Sequence, residues 1–276
     1  MLRVFVDSGS SIKQEEKELY NVEIIPLKIL LGDKEYLDGI DLSMEIFYKE
    51  LIDNKEFPKT SLPSLVELEE KVTGYTDSGD DVLIITISSG ISGTYNAMRL
   101  LFQENERVKV IDSKTAVGGI RILVDEVNRH RDETLDEIEK RLSDLIPRIH
   151  VMAIPETLNY LLRGGRLSKT EWLLGTALKL KPIIGFKDGS VKALGKSIGL
   201  KRGMLHITAA LNELECDPEH QIIASYTYNK DNIEELIKLT DEKFLPQIKV
   251  YDNLDPAIAC HWGPNAFGYI FVGKKI

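Results

Sequence analysis

The chain has few cysteines and no excess of positive charge. Only two cysteines, Cys216 and Cys260, occur among its 276 residues. This excludes a disulfide scaffold and a zinc site built from cysteine pairs, and it favours reduced thiols. The formal charge is -9, because 44 acidic residues outnumber 35 basic ones. A negative balance argues against nucleic acid or anionic membrane as a standing partner, since both bind basic surfaces.

Long apolar runs are also missing. No segment approaches the roughly 20 apolar residues that a transmembrane helix needs. The sequence opens directly on the strand-like Leu2–Val6, without the charged and apolar regions of a secretory signal. The composition, with 43% hydrophobic and 29% charged residues, is typical of globular proteins. We therefore predict a cytoplasmic protein, and the length favours about two domains.

The first half alternates short apolar strands with helical patterns. Capping-box spacing at Ser64 with Glu67, and at Thr134 with Glu137, indicates two helix starts, and Ser43 indicates a third. This alternation predicts an α/β domain over residues 1–150, with a mostly parallel sheet between two helix layers. The predicted strands are Leu2–Val6, Val22–Ile25, Val82–Ile87 and Val108–Ile111.

The pattern changes near residue 150. A strand is predicted at Val151–Ile154, and a hairpin is predicted around Asp188–Gly189. A helix ends at Gly164–Gly165, and Ser168 with Glu171 has the spacing that starts another. With the closing strand Phe267–Val272, these features predict an α+β domain over residues 151–276 whose sheet is mainly antiparallel.

Three polar turns follow predicted strands, at Asp7–Ser10, Ser88–Thr94 and Asp112–Lys114. Ligands bind at the carboxyl ends of strands in such sheets, so we expect these turns to lie along one edge. The Ser88–Thr94 turn leads into a helix, whose free N–H groups and dipole favour an anion. The hydroxyls of Thr60–Ser64 add neutral donors. These features predict a site that holds a carboxylate or phosphate head group.

Other interpretations of the same residues stay open. Ser64 fits a helix cap, and Ser92 fits an N-cap. The Gly90–Thr94 segment resembles a nucleophile elbow, but threonine replaces its last glycine. His261 is the candidate base, although a histidine beside a Gly-Pro turn is more often structural. The alternative function is therefore a hydrolase or a phosphosugar enzyme that uses the Ser88–Thr94 loop with His261.

Positive charge is concentrated in the middle of the chain. Arg166 follows a glycine turn, where its planar guanidinium suits a carboxylate or phosphate, although a surface salt bridge is the alternative. The acidic group Asp38, Asp41 and Glu45 lacks metal-loop spacing, so we predict solvated surface residues and no metal site. No P-loop, dinucleotide fingerprint or HExxH motif occurs. The basic middle segment consists of Lys179, Lys181, Lys187, Lys192, Lys196, Lys201 and Arg202.

These segments, taken together, resemble the DegV family of bacterial fatty-acid-binding proteins over essentially the whole chain. Each motif is short, but their number and order make the resemblance strong. The motifs that carry it are Val6–Ser10, Ile25–Leu27, Thr60–Ser64, Ser88–Tyr95, Val110–Lys114, Gly164–Ser168, Lys181–Ile183 and His261–Pro264. Three positions depart from the family pattern: Leu62 replaces glutamine, Gly9 replaces threonine, and Asn265 replaces glycine.

The resemblance implies a carrier without catalytic activity of its own. A long-chain fatty acid would lie in a buried tunnel, with the C-terminal domain covering the acyl tail. The carboxylate would be held by Thr60 and Ser92. The other implied ligand-binding residues are Ser61, Ser89, Gly93 and His261.

The resemblance also implies partners. A separate fatty acid kinase would convert the bound ligand to an acyl phosphate for phospholipid synthesis, and Arg166 and Arg202 are candidate contacts with it. Transient membrane contact would exchange the ligand. No cofactor other than this lipid is expected. A further alternative is a regulatory interaction protein whose lipid is merely structural.

Overall fold

A computed structural model describes residues 1–53, 57–169, 180–251 and 254–274 of the chain. Three sheets with flanking helices form within these residues. The strands are β1 (Leu2–Asp7), β2 (Glu23–Ile25), β3 (Lys28–Leu31), β4 (Lys34–Leu37), β5 (Lys59–Ser61), β6 (Asp81–Thr86), β7 (Val108–Asp112), β8 (Ile149–Ile154), β9 (Leu180–Lys187), β10 (Ser190–Ile198), β11 (Ile222–Tyr226), β12 (Ile248–Tyr251) and β13 (Phe267–Val272). The helices are α1 (Lys17–Tyr20), α2 (Met44–Asp53), α3 (Leu65–Asp77), α4 (Thr94–Leu101), α5 (Gly118–Arg129), α6 (Leu135–Leu145), α7 (Asn159–Arg163), α8 (Leu200–Glu213), α9 (Asp231–Lys238) and α10 (Pro256–Trp262).

The N-terminal sheet has the order β2-β1-β6-β7, and all its neighbouring strands are parallel. Its alternating side chains pack in two directions, as expected for a sheet that is buried on both faces. Phe5, Val82 and Ile84 pack against α3 and α4, whereas Val4 and Leu83 pack against α5 and α6. The prediction of a parallel sheet between two helix layers is confirmed.

Hydrogen bonds join the three polar turns that follow β1, β6 and β7. The buried Asp7 carboxylate accepts hydrogen bonds from Gly9 N at 3.0 Å and from Ile87 N at 2.8 Å. Ser89 N donates to Asp112 Oδ1 at 3.0 Å, which ties the second turn to the third. The sequence-based prediction that these turns share one sheet edge is confirmed.

A small antiparallel sheet, in the order β4-β3-β5, was not predicted from the sequence. Its outer strand β5 has only three residues, and Thr60 on it pairs with Ile29 of β3. Such short strands have little periodicity, so their sequence does not distinguish them from a loop. This sheet positions the Thr60 hydroxyl.

The second large sheet has the order β10-β9-β8-β13-β11-β12 and is antiparallel except for the β11–β12 pair. The predicted hairpin is confirmed: Asp188 and Gly189 have φ values of 51° and 77°, the left-handed conformations of a two-residue hairpin turn. The helix predicted to start at Ser168 with Glu171 lies outside the described residues.

One continuous apolar core joins the two halves of the chain. Val151, Ile223 and Ile270 on one face of the second large sheet pack with the same cluster as Ile120 of α5 and Leu83 of β6. The opposite face of that sheet is covered by α8 and α9. Residue 150 lies inside β8, and the division into domains 1–150 and 151–276 stays a prediction.

All three predicted helix starts agree with the structure, because Ser43, Ser64 and Thr134 directly precede α2, α3 and α6. Thr134 and Glu137 form the predicted reciprocal capping box, and Ser43 Oγ accepts from Ile46 N at 3.3 Å. The capping-box prediction at Ser64 is wrong, because its backbone begins α3 without a side-chain hydrogen bond. Throughout the described ranges, no helix is both long enough and apolar enough to cross a membrane.

The hairpin tip closes against the loop that follows β6. Ser88 Oγ donates to Gly189 O at 2.6 Å, and Gly90 lies directly against the same peptide. A Cβ atom built on Gly90 would lie 2.3 Å from Gly189 O, so a side chain there forces the two backbones apart. This contact needs a glycine for reasons of space.

We predict that Gly90→Ala destabilises the protein by about 1–3 kcal/mol, because backbone atoms must move to admit the methyl group. Gly74→Ala in α3 is the matched control, since nothing lies within 4 Å of its added Cβ. That substitution should stabilise the helix by about 0.5–1 kcal/mol. Urea unfolding of both variants measures these effects, and equal stability of the two variants would contradict the prediction.

Candidate functional site

The candidate head-group site begins with a contact between two distant parts of the chain. Thr60 Oγ1 on β5 lies at hydrogen-bond distance, 3.0 Å, from His261 Nε2 near the end of α10, across 201 residues of sequence. The aromatic ring of Phe57 lies 6.4 Å from the His261 ring. His261 Nδ1 is enclosed, and none of the described residues forms a hydrogen bond with it.

A glycine makes room for the His261 ring. A Cβ atom on Gly164 would lie 2.3 Å from His261 Nδ1, whereas Gly165 next to it has a φ of 73° and open space around it. Glycine is therefore required for different reasons at the two positions after α7. Gly165 permits the left-handed turn, and Gly164 permits close packing against His261.

Ser92 lies on the second wall of the site, just before α4. Its Oγ lies 2.8 Å from Thr94 Oγ1 and accepts from Thr94 N at 3.2 Å. The N-cap residue of α4 is Gly93, one position later than the sequence interpretation of Ser92 as N-cap. The Ser92 hydroxyl therefore accepts a hydrogen bond from a backbone N–H at the start of the helix, and Ser92 also lines the cavity.

Arg166 contributes positive charge to the same cavity. Its Nε donates to Ile91 O at 3.0 Å, and Nη1 donates to Gly164 O. These bonds hold the guanidinium between the Ser92 loop and the turn after α7. The sequence suggested Arg166 as a contact for a partner protein; that role stays a prediction, and the structure places the side chain in the cavity lining.

Burial and this guanidinium keep His261 neutral. Burial lowers the pKa of His261 to about 3, and the nearby charge of Arg166 adds to the effect. A neutral imidazole can hydrogen-bond Thr60 but carries no charge at physiological pH. Arg166 is therefore the cation of the site.

Two buried carboxylates hold α10, which carries His261. Asp38 Oδ1 accepts from Ala257 N at 3.1 Å, in the first turn of the helix. The prediction that Asp38 lies on the solvated surface is therefore wrong, because its side chain is buried against this helix. Asp255, directly before the helix, forms an ion pair with Lys13. Burial and, to a smaller extent, the negative charge of Asp255 together raise the pKa of Asp38 to about 8. Burial likewise raises the pKa of Asp255, against the opposing effect of Lys13.

The head-group cavity contains about 470 Å³ of unfilled space, part of it open to solvent. Its polar groups meet at one side, and the rest of the lining is mostly apolar. A cavity with few convergent polar groups in an apolar wall is typical of sites for amphipathic small molecules. The lining consists of Leu27, Thr60, Ile87, Ile91, Ser92, Ala116, Leu161, Arg166, Val191, Ala257, Ile258, His261 and Trp262.

A second cavity, which we call the tail cavity, adjoins the first. Ala116 and Trp262 line both cavities, and the tail cavity contains about 440 Å³ of unfilled space, part of it open to solvent, between the turn before α5 and the second large sheet. Val117 in its wall has a φ of 54°, a strained conformation for a β-branched residue and one that often marks functional sites. Further apolar lining comes from Val151, Ala153, Phe186, Leu254, Phe267 and Ile270.

The structure does not bring every predicted residue to the cavity. Ser61 is exposed beside Thr60, because successive side chains on a strand point to opposite faces. Gly93 is exposed as well. Ser89 Oγ accepts from Lys114 Nζ at 3.2 Å, away from the cavity lining. Arg202 lies exposed near the start of α8.

Sequence reasoning missed the apolar residues that shape both cavities. Leu27, Leu161, Phe186 and Trp262 look like ordinary core residues in the sequence. Trp262 belongs to the His261–Pro264 motif, and its position next to His261 is the one feature of the sequence that could have indicated its place in the site. The others carry no signal, because a cavity wall and a packed core require the same side chains.

The departures from the family pattern fit their surroundings. Asn265 has a φ of 60°, a left-handed conformation that asparagine tolerates better than most residues. Its N–H donates to Thr227 O at 3.0 Å and its Nδ2 to Glu156 Oε2 at 2.7 Å. Gly9 lies where an added Cβ would be 2.8 Å from both Asp7 Oδ1 and Ile87 Cδ1.

The geometry favours binding over bond cleavage. A serine nucleophile needs a base within hydrogen-bond reach, but His261 bonds Thr60 and Ser92 bonds Thr94. With its pKa lowered to about 3, His261 is also a weak base. In the part of the chain that the structure describes, no three His, Cys, Asp or Glu side chains lie together in a way that suits a metal ion.

Comparison with known proteins identifies the class to which this fold and site belong. The family model described as DegV family matches residues 1–274, and the chain belongs to the DegV family. A DegV domain-containing protein of Clostridium acetobutylicum is 30% identical over 292 residues, with 99% of each chain covered. The predicted family is confirmed.

Solved structures share the fold over nearly the whole chain. A fatty-acid-binding DegV family protein from Thermus thermophilus is 27% identical, with a TM-score of 0.86 over 99% of both chains. A stearic acid-binding protein from Eubacterium ventriosum is 26% identical, with a TM-score of 0.84 over 99% of both. The α/β fold class predicted from the sequence is thereby confirmed.

We predict that Asp38→Asn reduces the dependence of stability on pH. An aspartate whose pKa is near 4 in the unfolded chain and about 8 in the native protein keeps a proton that the unfolded chain has released. Native stability therefore falls as pH rises between these values, and asparagine removes that loss. The difference is on the order of a few kcal/mol, since one pKa unit corresponds to about 1.4 kcal/mol.

Urea unfolding at pH 5 and pH 8 measures this effect. Asp77→Asn, at an exposed position at the end of α3, serves as the control and should retain the wild-type dependence. A fall in stability between pH 5 and pH 8 that is equally large in Asp38→Asn would show that Asp38 does not carry the proton.

Proposed function

We propose that this protein is a cytoplasmic carrier that binds one long-chain fatty acid and is not an enzyme by itself. The observation that carries the proposal is the pair of adjoining cavities, one with convergent polar groups and the other lined mainly by apolar side chains. Fatty acid binding by the related solved proteins supports it. The bound lipid is the ligand, and no further cofactor is proposed.

In this proposal the carboxylate is held at the polar end by Thr60, Ser92 and His261, with Arg166 as counter-ion. A fatty acid carboxylate has a pKa close to the ~4.3 of glutamate, so it is ionised at neutral pH. Each hydrogen bond to a charged acceptor contributes about 1.5–3 kcal/mol. Neutral His261 and cationic Arg166 can both donate, so the site supplies hydrogen bonds and charge together.

The acyl chain then passes Trp262 and Ala116 into the tail cavity. Burial of the chain supplies most of the affinity, at about 0.8 kcal/mol per methylene before the entropy of ordering is subtracted. The C-terminal part of the chain covers the tail through β8, β11 and β13. Water is excluded from the tail, whereas the side chains around the head group are partly exposed.

A partly exposed head group suits transfer to a separate enzyme. We propose that a fatty acid kinase phosphorylates the bound carboxylate, giving an acyl phosphate for phospholipid synthesis. The chain has no P-loop of its own, which fits this division of labour. Residues 180–206 contain six basic residues and one acidic residue in a chain of net charge -9, and this basic surface suits an acidic kinase surface.

The ligand is exchanged during transient contact with a membrane. Exposed Leu194 and Ile198 flank Lys196 on β10, with exposed fractions of 43% for Leu194 and 61% for Ile198. Apolar and cationic side chains in this combination favour brief contact with anionic lipid surfaces.

We predict that Ser92→Ala weakens palmitate and oleate binding about 10- to 100-fold, because one hydrogen bond to the carboxylate is lost. Thr60→Val should have a similar effect. Ser61→Ala is the matched control, since this neighbouring hydroxyl is exposed and should not change affinity. Isothermal titration of each variant measures the dissociation constant. The proposal is wrong if wild type binds neither acid, or if Ser61→Ala and Ser92→Ala behave alike.

We predict that Arg202→Glu lowers acyl phosphate formation by the kinase at least tenfold, because charge reversal replaces attraction with repulsion. Fatty acid affinity should be unchanged, since Arg202 is not among the residues that line the cavities. Arg99→Glu on exposed α4 controls for net charge. The rate of acyl phosphate formation is measured in kinase assays with the fatty-acid-loaded carrier. Equal rates for Arg202→Glu and Arg99→Glu would show that Arg202 is not part of the interface.

A further inference from the structure

The tail cavity has a floor of small residues. Ala153 on β8, Gly268 on β13 and Ser225 on β11 lie side by side, because Gly268 pairs with Ala153 on one side and with Ser225 on the other. A Cβ atom on Gly268 would lie 2.2 Å from Met152 O, so no larger residue fits there. Small side chains across three neighbouring strands leave the space above the sheet unfilled.

Ser225 is the exception in this apolar floor. It is 5% exposed, and its Oγ has no hydrogen-bond partner among the residues that the structure describes. A buried hydroxyl without a partner is unfavourable, since it has lost its hydrogen bonds to water. Ser225 lies two residues after Ile223 on β11, so both side chains point to the same face of the sheet, the face that lines the tail cavity. The Ser225 hydroxyl is therefore available to form a hydrogen bond with a ligand that enters the cavity.

We propose that Ser225 recognises a hydroxyl group part-way along the acyl chain, so that the ligands of this protein include hydroxylated fatty acids. The inference rests on the proposed function and adds the substrate class to it. A hydroxyl on the chain both donates and accepts, as the serine hydroxyl does. The two groups satisfy one another inside a lining that otherwise offers the chain apolar contacts.

The chemistry of the lining favours a neutral group over a charged one. Among the described residues that line the tail cavity, none is an acid, a lysine or an arginine. A second carboxylate would be buried there without a counter-ion, which costs far more than a single hydrogen bond returns. A hydroxyl costs much less to bury, and its cost is offset when it meets Ser225.

The test compares stearate with its monohydroxy positional isomers. Isothermal titration of wild type should find one isomer that binds at least as tightly as stearate. Ser225→Ala should weaken that isomer about tenfold and leave stearate within about twofold, because only the hydroxylated chain loses a hydrogen bond. Ser92→Ala is the control: it should weaken both ligands by the same factor, since both share the carboxylate.

The outcomes separate the inference from the function on which it rests. If wild type binds stearate but every hydroxy isomer binds more weakly, the inference is overturned and the carrier function stands. The same holds if Ser225→Ala weakens stearate and its isomers equally. If wild type does not bind stearate or any isomer, the proposed function fails first.

Discussion

The anchoring of α10 is the interaction on which the site depends. Asp38 accepts from the first turn of this helix, and Asp255 before it pairs with Lys13. The helix then delivers His261 to Thr60 and places Trp262 where the two cavities meet. Burying two charged carboxylates away from water is energetically costly. The pKa values of Asp38 and Asp255 are therefore raised, because burial favours the protonated form.

The site has a polar end close to solvent and an apolar end that is buried. Hydroxyls, a neutral imidazole and one guanidinium meet at the edge where strands and turns end, close to solvent. Behind them the wall becomes apolar, and the row of small residues on β8, β13 and β11 keeps it open. An amphipathic ligand fits such a gradient with its charged end outward and its apolar part in the tail cavity.

Local patterns predicted much of the fold. The strands β1, β6 and β7 were identified from apolar runs, the Asp188–Gly189 turn from its residues, and the α6 capping box from spacing. These features depend on neighbours in sequence. The small sheet around β5 was missed, because three-residue strands are stabilised by their partners and carry no periodicity of their own. Ser64 was correctly predicted to precede α3, but its capping-box hydrogen bonds were not found, since several local arrangements suit a serine before a helix.

By itself, the sequence determined the family resemblance, the order of strands and helices, and the hydroxyl-rich turns at one sheet edge. Only the tertiary structure decided which hydroxyls face the cavity: Thr60 faces inward and Ser61 outward, and Ser89 turns to Lys114. It also decided that Arg166 lines the head-group cavity and that Ser225 Oγ has no partner among the described residues of an apolar wall. The physical reason is that a side chain's direction and its distant partners follow from how sheets and helices pack, and that packing joins residues as far apart as Thr60 and His261.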